Sequence, residues 1–110
     1  MLKKVNRIKK RKEFEEIRLK GKIYQSVLFG LVVKMDGSKD KKFGMIVSKK
    51  ISLKAVDRNK IRRRLSEVIG KNLSEVSEGV SAIILAKKRL MEVGIAEIDS
   101  EFKRIIKDIK

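Results

Sequence analysis

Between Lys49 and Arg64 the chain reads KKISLKAVDRNKIRRR, eight Lys or Arg side chains in sixteen positions with one uncharged amide, Asn59, between Arg58 and Lys60. Arginine forks and an amide can grip phosphate and sugar oxygens with fixed geometry, which a merely solvated charge stripe does not require. The chemistry on offer is therefore recognition of a polyanion, RNA or DNA. Bond-making chemistry has much less to work with. Cysteine and histidine are both absent, which removes disulfides, thiolate nucleophiles, imidazole bases and the usual zinc ligand sets together. A self-sufficient nuclease would need a carboxylate cluster for Mg²⁺, and none has convincing spacing. Glu13, Glu15 and Glu16 stand among Lys and Arg on a helical stretch and suit surface ion pairing. Asp36 and Asp40 fall where a turn asks for Asp, and Asp57 suits the first turn of a helix or the orientation of Arg58.

Composition agrees with a binding role. At 110 residues the chain is one domain with one modest core, and thirty basic against fourteen acidic residues give a net charge of +16. Self-repulsion of that size asks for a neutralising partner. Nucleic acid comes first and an anionic membrane surface second. No run approaches the roughly 20 apolar residues of a membrane span. The basic start is followed by RKEFEEIRLK, where a signal peptide would need an apolar run, so a cytoplasmic protein is expected.

The elements that position the basic block follow from periodicity. Residues 1–12, with seven basic side chains, read as an arm that lies on the surface or orders on binding. A short helix follows, with Phe14, Ile17 and Leu19 on its apolar side and Gly21 as its stop. Ile23–Tyr24 form a short strand. Val27–Met35 form a longer one, and after the turn at 36–40 Phe43–Ser48 read as the returning strand of a hairpin. Gly30 and Gly44, inside these strands, mark a bulge, a close backbone approach or simple tolerance. The longest helix spans about 53–73, carries Ile61, Leu65, Val68, Ile69 and Leu73 inward and has Ser52 as its candidate cap. On its wheel Asn59, Arg62, Arg63 and Ser66 face outward. VSAIILA (80–86) suits a strand buried on both faces. A last helix over about 98–109 buries Ile98, Phe102, Ile105, Ile106 and Ile109, with Asp99 and Glu101 in its first turn. Phe29, Phe43 and Phe102 are expected in the core, and Tyr24 is open between the core and an RNA-stacking role. Helix, strands, long helix, strand and helix make an α+β sandwich, helices against a small sheet.

The block FGMIVSKKISLKAVDRNKIRRRLSEVI resembles the signature of the bacterial ribonuclease P protein subunit. In that family a strand ending Val-Ser-Lys-Lys leads to a helix bearing Ala-Val-x-Arg-Asn-x-Ile-(Lys/Arg)-Arg. RIKKRKEFEEIRLKG (7–21) resembles the family's opening, and the late glycine, apolar strand and C-terminal helix agree. The resemblance implies a two-layer α/β sandwich of order αβββαβα, with a small four-stranded mixed sheet and a left-handed parallel crossover, an exception to the usual hand. It also implies a role in a ribonucleoprotein endonuclease that removes the 5′ leader of precursor tRNA. The catalytic centre and most of the Mg²⁺ would lie on the RNA. Its partners would be the catalytic RNA and precursor tRNA, with no protein partner required and no membrane.

Carried over by position, Arg58, Asn59, Lys60, Arg62 and Arg63 match the helix motif that contacts the RNA subunit. Lys49 and Lys50 match the adjoining Lys pair, and Lys54 extends that surface. Phe14 matches an aromatic contact of the leader cleft. Arg18 and Val32 stand where the family often has aromatics, which thins base stacking and shifts leader contact toward Arg18, Lys22 and the arm. Ser66 stands where the motif often continues with Arg. Two rivals share the charge and size: a ribosomal-type structural RNA binder, and a DNA regulator, which would lack a second recognition element and a dimer seam.

Overall fold

In the computed structural model, which describes residues 2–109, the apolar run at 80–86 takes the central place its composition asks for. It forms β4 (Val80–Ala86), antiparallel to β2 (Phe29–Met35) on one side and parallel to β3 (Lys42–Ile46) on the other. The edge strand β1 (Lys22–Gln25) completes a four-stranded sheet in the order β1-β2-β4-β3. Side chains alternate across the sheet. Leu31, Val33, Phe43, Ala82 and Ile84 belong to the main core, whereas Val32 and Ile83 point to a smaller cluster on the opposite face.

Two helices close the main core. These are α2 (Ala55–Lys71), through Ile61, Leu65, Val68 and Ile69, and α3 (Ile95–Asp108), through Ile98, Phe102, Ile105 and Ile106. The Phe43 and Phe102 rings meet with centroids 6.0 Å apart and planes at 60°, a tilted aromatic pair. The third helix, α1 (Arg11–Lys20), lies across part of the other face, where Ile17 packs with Val32 and Ile83. The expected αβββαβα order and mixed sheet are present. Among the described residues no helix is long and apolar enough to cross a membrane.

Several elements differ from the sequence reading. The β2–β3 hairpin does not form. The hairpin is β1–β2, Gln25 opposite Gly30, and β4 inserts between β2 and β3 because its two apolar faces gain most from central burial. Val27 is exposed in the hairpin turn, outside β2. The basic arm lies on the surface, the first of its two expected states, but it is anchored there by two buried side chains. Leu2 is buried in the main core and Ile8 in the smaller one, Arg7 bridges Phe43, and the Ile8 N–H donates to the Phe43 carbonyl at 3.1 Å. The segment thus wraps the outer edge of β3, a device that hides unpaired strand groups.

Leu19, placed on the apolar side of α1, is 85 % exposed, since Phe14 and Ile17 make the contact with the sheet. Gly21 ends α1 with φ −75°, so it does not supply a left-handed stop. A Cβ there would stand 2.5 Å from both the Ile17 carbonyl oxygen and Val32 Cγ1, so close packing requires the glycine. Leu73 falls outside α2, in a single 3-10 turn.

Helix α3 starts at Ile95, earlier than expected, so Asp99 and Glu101 sit beyond its first turn and serve packing partners. The Asn72 amide, buried at the end of α2, donates to Asp99 Oδ1 at 2.7 Å and to the Val68 carbonyl at 2.8 Å. That amide, and then Lys103, hold the Asp99 carboxyl below its ordinary pKa. A group whose folded pKa is depressed contributes stability above its unfolded pKa of about 3.9 and loses it as pH falls through the folded value. Asp99→Ala leaves one buried amide hydrogen unpaired and should cost about 1–3 kcal/mol at pH 7. The gap from the parent protein should narrow below about pH 4, as urea melts at pH 7 and pH 3 would reveal.

Candidate nucleic-acid interface

Helix α2 carries the motif because its apolar positions recur at helical spacing on one side only. Ile61, Leu65 and Val68 face the sheet, while Asn59, Lys60, Arg62 and Arg63 are exposed. The Lys49–Lys50 pair is exposed in the turn after β3, and Lys54 in the N-cap position of α2. Ser52, expected as the cap, makes no cap bond; its hydroxyl donates to Asp57 Oδ2 at 2.8 Å and accepts from the Lys54 N–H at 3.2 Å. Arg58 is half-buried, and its Nη1 donates to the Ser52 carbonyl at 2.8 Å. Asn59 Oδ1 accepts from Arg62 Nη1 at 3.0 Å, so the odd amide aligns a neighbouring guanidinium on the exposed face. Arg64 turns aside to the Val93 carbonyl at 3.2 Å. Ser66 does not face outward. It is buried with its hydroxyl 3.8 Å from Met45 Sδ, a small polar residue that lets α2 approach β3.

Glu13, Glu15, Glu16, Asp36, Asp99 and Glu101 have partners away from this block. Six ion pairs occur among the described residues, joining α1 to the sheet or lying within α1 and α3, and none involves a cation between Lys49 and Arg64. Glu16 accepts from Lys34 at 2.6 Å, which with Lys20 lowers its pKa. Asp36 accepts from the Ser38 N–H at 2.8 Å, the expected turn role. Among the described residues no three His, Cys, Asp or Glu side chains are placed to hold one metal ion.

On the opposite face of the sheet a second surface borders α1. Phe14, Ile46 and Leu85, all half-buried, fringe the smaller cluster. The Phe14 ring lies directly over Gly44, where a Cβ would stand 2.5 Å from Cε1 and 2.6 Å from Cζ. Gly44 therefore marks a close approach, by a side chain; Gly30 has room for a Cβ. Arg18 is exposed one turn after Phe14 on the same side of α1.

Two residues expected in this groove are not in it. Val32 is only 4 % exposed, because Ile17 and Gly21 lie on it, so it supports α1 and reaches no ligand. Lys22 pairs in register with Val33, whose side chain points to the main core, so strand alternation places it on the other face. There its Nζ lies 5.3 Å from the centroid of half-buried Tyr24. The three phenylalanines expected in the core, Phe29, Phe43 and Phe102, are all there.

The ribonuclease P family model matches residues 2–110. The chain belongs to the ribonuclease P protein family. Its relatives include the ribonuclease P protein components of Bacillus mycoides, 35 % identical over 108 residues covering 96 % of this chain and 92 % of that one, and of Mycoplasma capricolum, 34 % identical with 94 % of each covered. Among solved structures, the ribonuclease P protein of Thermotoga maritima superposes with a TM-score of 0.86 at 25 % identity over 94 % of this chain and 97 % of that one. The Staphylococcus aureus ribonuclease P protein gives 0.85 at 27 % identity, with 97 % of each chain covered.

The sequence alone did not point to Ile46 and Leu85, whose half-buried apolar surface adjoins Phe14. Gly44 was the available signal, a strand position without a side chain beside which an aromatic ring can lie. Arg58, which the motif places beside the RNA contacts, also bonds the Ser52 carbonyl and so helps to shape the entry to α2.

Proposed function

We propose that this chain is the protein subunit of ribonuclease P, which assists a catalytic RNA in removing the 5′ leader from precursor tRNA. The observation that carries the reading is the cationic surface of α2, rigidly packed and paired with no carboxylate, in a chain of this family. Lys49, Lys50, Lys54, Asn59, Lys60, Arg62 and Arg63 contact the RNA subunit, with Arg58 holding the loop before the helix. The leader runs along the other face beside Phe14 and Arg18, over Ile46 and Leu85, so the sheet separates the two RNA-binding surfaces.

The protein's contribution is electrostatic. Cations that neutralise phosphates let two RNAs approach and raise Mg²⁺ occupancy at the sites where they meet. Glu13, Glu16, Asp57, Asp99 and Glu101 are engaged by Lys, Arg, Ser or Asn partners, and in this reading the ions and the activated water belong to the RNA. A structural RNA binder of ribosomal type would bind without promoting cleavage. Mixing the protein with a ribonuclease P RNA and precursor tRNA at low Mg²⁺ separates the two. Correct 5′ maturation should rise several-fold, and no gain would sink the proposal.

A further inference from the structure

Two large apolar side chains stand in water inside the cationic block. Leu53, just before α2, is 83 % exposed, and Val56, in its first turn, is 74 % exposed. The backbone beneath them is held. Ser52 bonds Asp57 and the Lys54 N–H, Arg58 grips the Ser52 carbonyl, and Ile51 is buried in the main core. These bonds pull Ser52, Asp57 and Arg58 inward and leave Leu53 and Val56 on the outer side. An apolar surface presented on a fixed backbone loses little freedom when it is covered.

The surroundings identify what covers it. Lys49, Lys50, Lys54 and Lys60 are exposed in the same stretch of chain, whose single carboxylate between Lys49 and Arg64, Asp57, is turned to Ser52, with Glu92 beyond it on the side of Lys60 and Arg64. The occupant must therefore be strongly anionic and still offer a flat apolar face. An unstacked nucleotide in folded RNA has both, phosphates for the lysines and a base face for the aliphatic side chains. A protein surface acidic enough for the lysines would place charged groups against Leu53 and Val56.

We propose that Leu53 and Val56 form a platform for one unstacked base of the RNA subunit, a contact that responds to the base as well as to the backbone. This rests on reading α2 as the RNA-subunit face and adds to it a site where RNA shape is sensed. Arg58 becomes a positioning residue that keeps the Ser52 carbonyl, and with it Leu53, in place.

The test compares the full-length protein with Leu53→Ser/Val56→Ser and with the conservative Leu53→Ile in binding to ribonuclease P RNA across a salt series. Dimethyl sulfate probing of the RNA and thermal melting of the protein accompany it. The double variant should lose about tenfold in affinity, the scale of partly burying two aliphatic side chains against a base. Its salt slope should be unchanged, because no phosphate contact is removed. A base protected by the parent protein should become reactive, while Leu53→Ile binds normally and melting is unaffected. Parent-like affinity and protection in the double variant would overturn the platform. So would a reduced salt slope, or a parent protein that self-associates through this patch while the variant does not. If the parent protein fails to stimulate cleavage, the functional reading itself fails. If it stimulates and the double variant matches it in binding and probing, the platform alone fails.

Discussion

Replacing Lys60, Arg62 and Arg63 together by Ala should lower the slope of log affinity against log salt by about three, one for each lost phosphate contact. A slope difference of three means that the parent protein's advantage shrinks by about 60-fold between 50 and 200 mM salt. The three side chains are exposed and form no ion pair, so the melting temperature should hold, and easing like-charge repulsion on α2 works in the same direction. Filter binding at four or five salt concentrations measures the slope. If it is unchanged, the RNA-subunit interface lies elsewhere. Arg58→Ala is the contrasting variant. It should lower melting temperature as well as affinity, because it frees the Ser52 carbonyl.

The second large effect is expected at the contact between Phe14 and Gly44. Phe14→Ala should reduce the preference for precursor over mature tRNA by about tenfold, as loss of one stacked base predicts, and leave affinity for the RNA subunit alone intact. Gly44→Ala should produce a similar loss with the ring still present, since a methyl 2.5 Å from Cε1 forces Phe14 off its seat. It should also cost about 1–3 kcal/mol of stability, as overpacking does. In Phe14→Ala/Gly44→Ala the clash is gone, so stability should recover while leader preference does not. Single-turnover cleavage of the two substrates gives the ratio directly. A ratio untouched in all three variants would remove the leader from this groove.

The helices and the motif were legible because their signals are local. The 3.6-residue spacing of Ile61, Leu65 and Val68 and the apolar face of α3 need no knowledge of the rest of the chain. Strand pairing was not legible, because the partner of β3 lies about forty residues on and a short turn before FGMIVS imitates a hairpin. Errors at the groove followed from that. Without the register, nothing in the sequence said that Lys22 shares a face with Val33 or that α1 covers Val32. Ser66 carried its own clue, since a small uncharged residue among Arg side chains suits a place where another element comes close. The buried anchors Leu2 and Ile8 were hidden by the charge around them: single apolar residues in a basic segment form no period.

The central position of β4 bears on how the molecule is made. A nascent chain that has emerged through residue 79 already contains every cation of the motif, yet β3 has no neighbouring strand to join and only the single bridge at Arg7 to lean on. The sheet becomes continuous when Val80–Ala86 arrives, and the Phe43 seat for α3 is occupied later still, when Phe102 follows. Folding therefore waits on contacts distant in sequence and cannot complete the sheet before these late elements have been made. Both candidate faces take shape only once β4 and α3 are in place, so a chain cut short of them presents charge without the geometry that would make it selective.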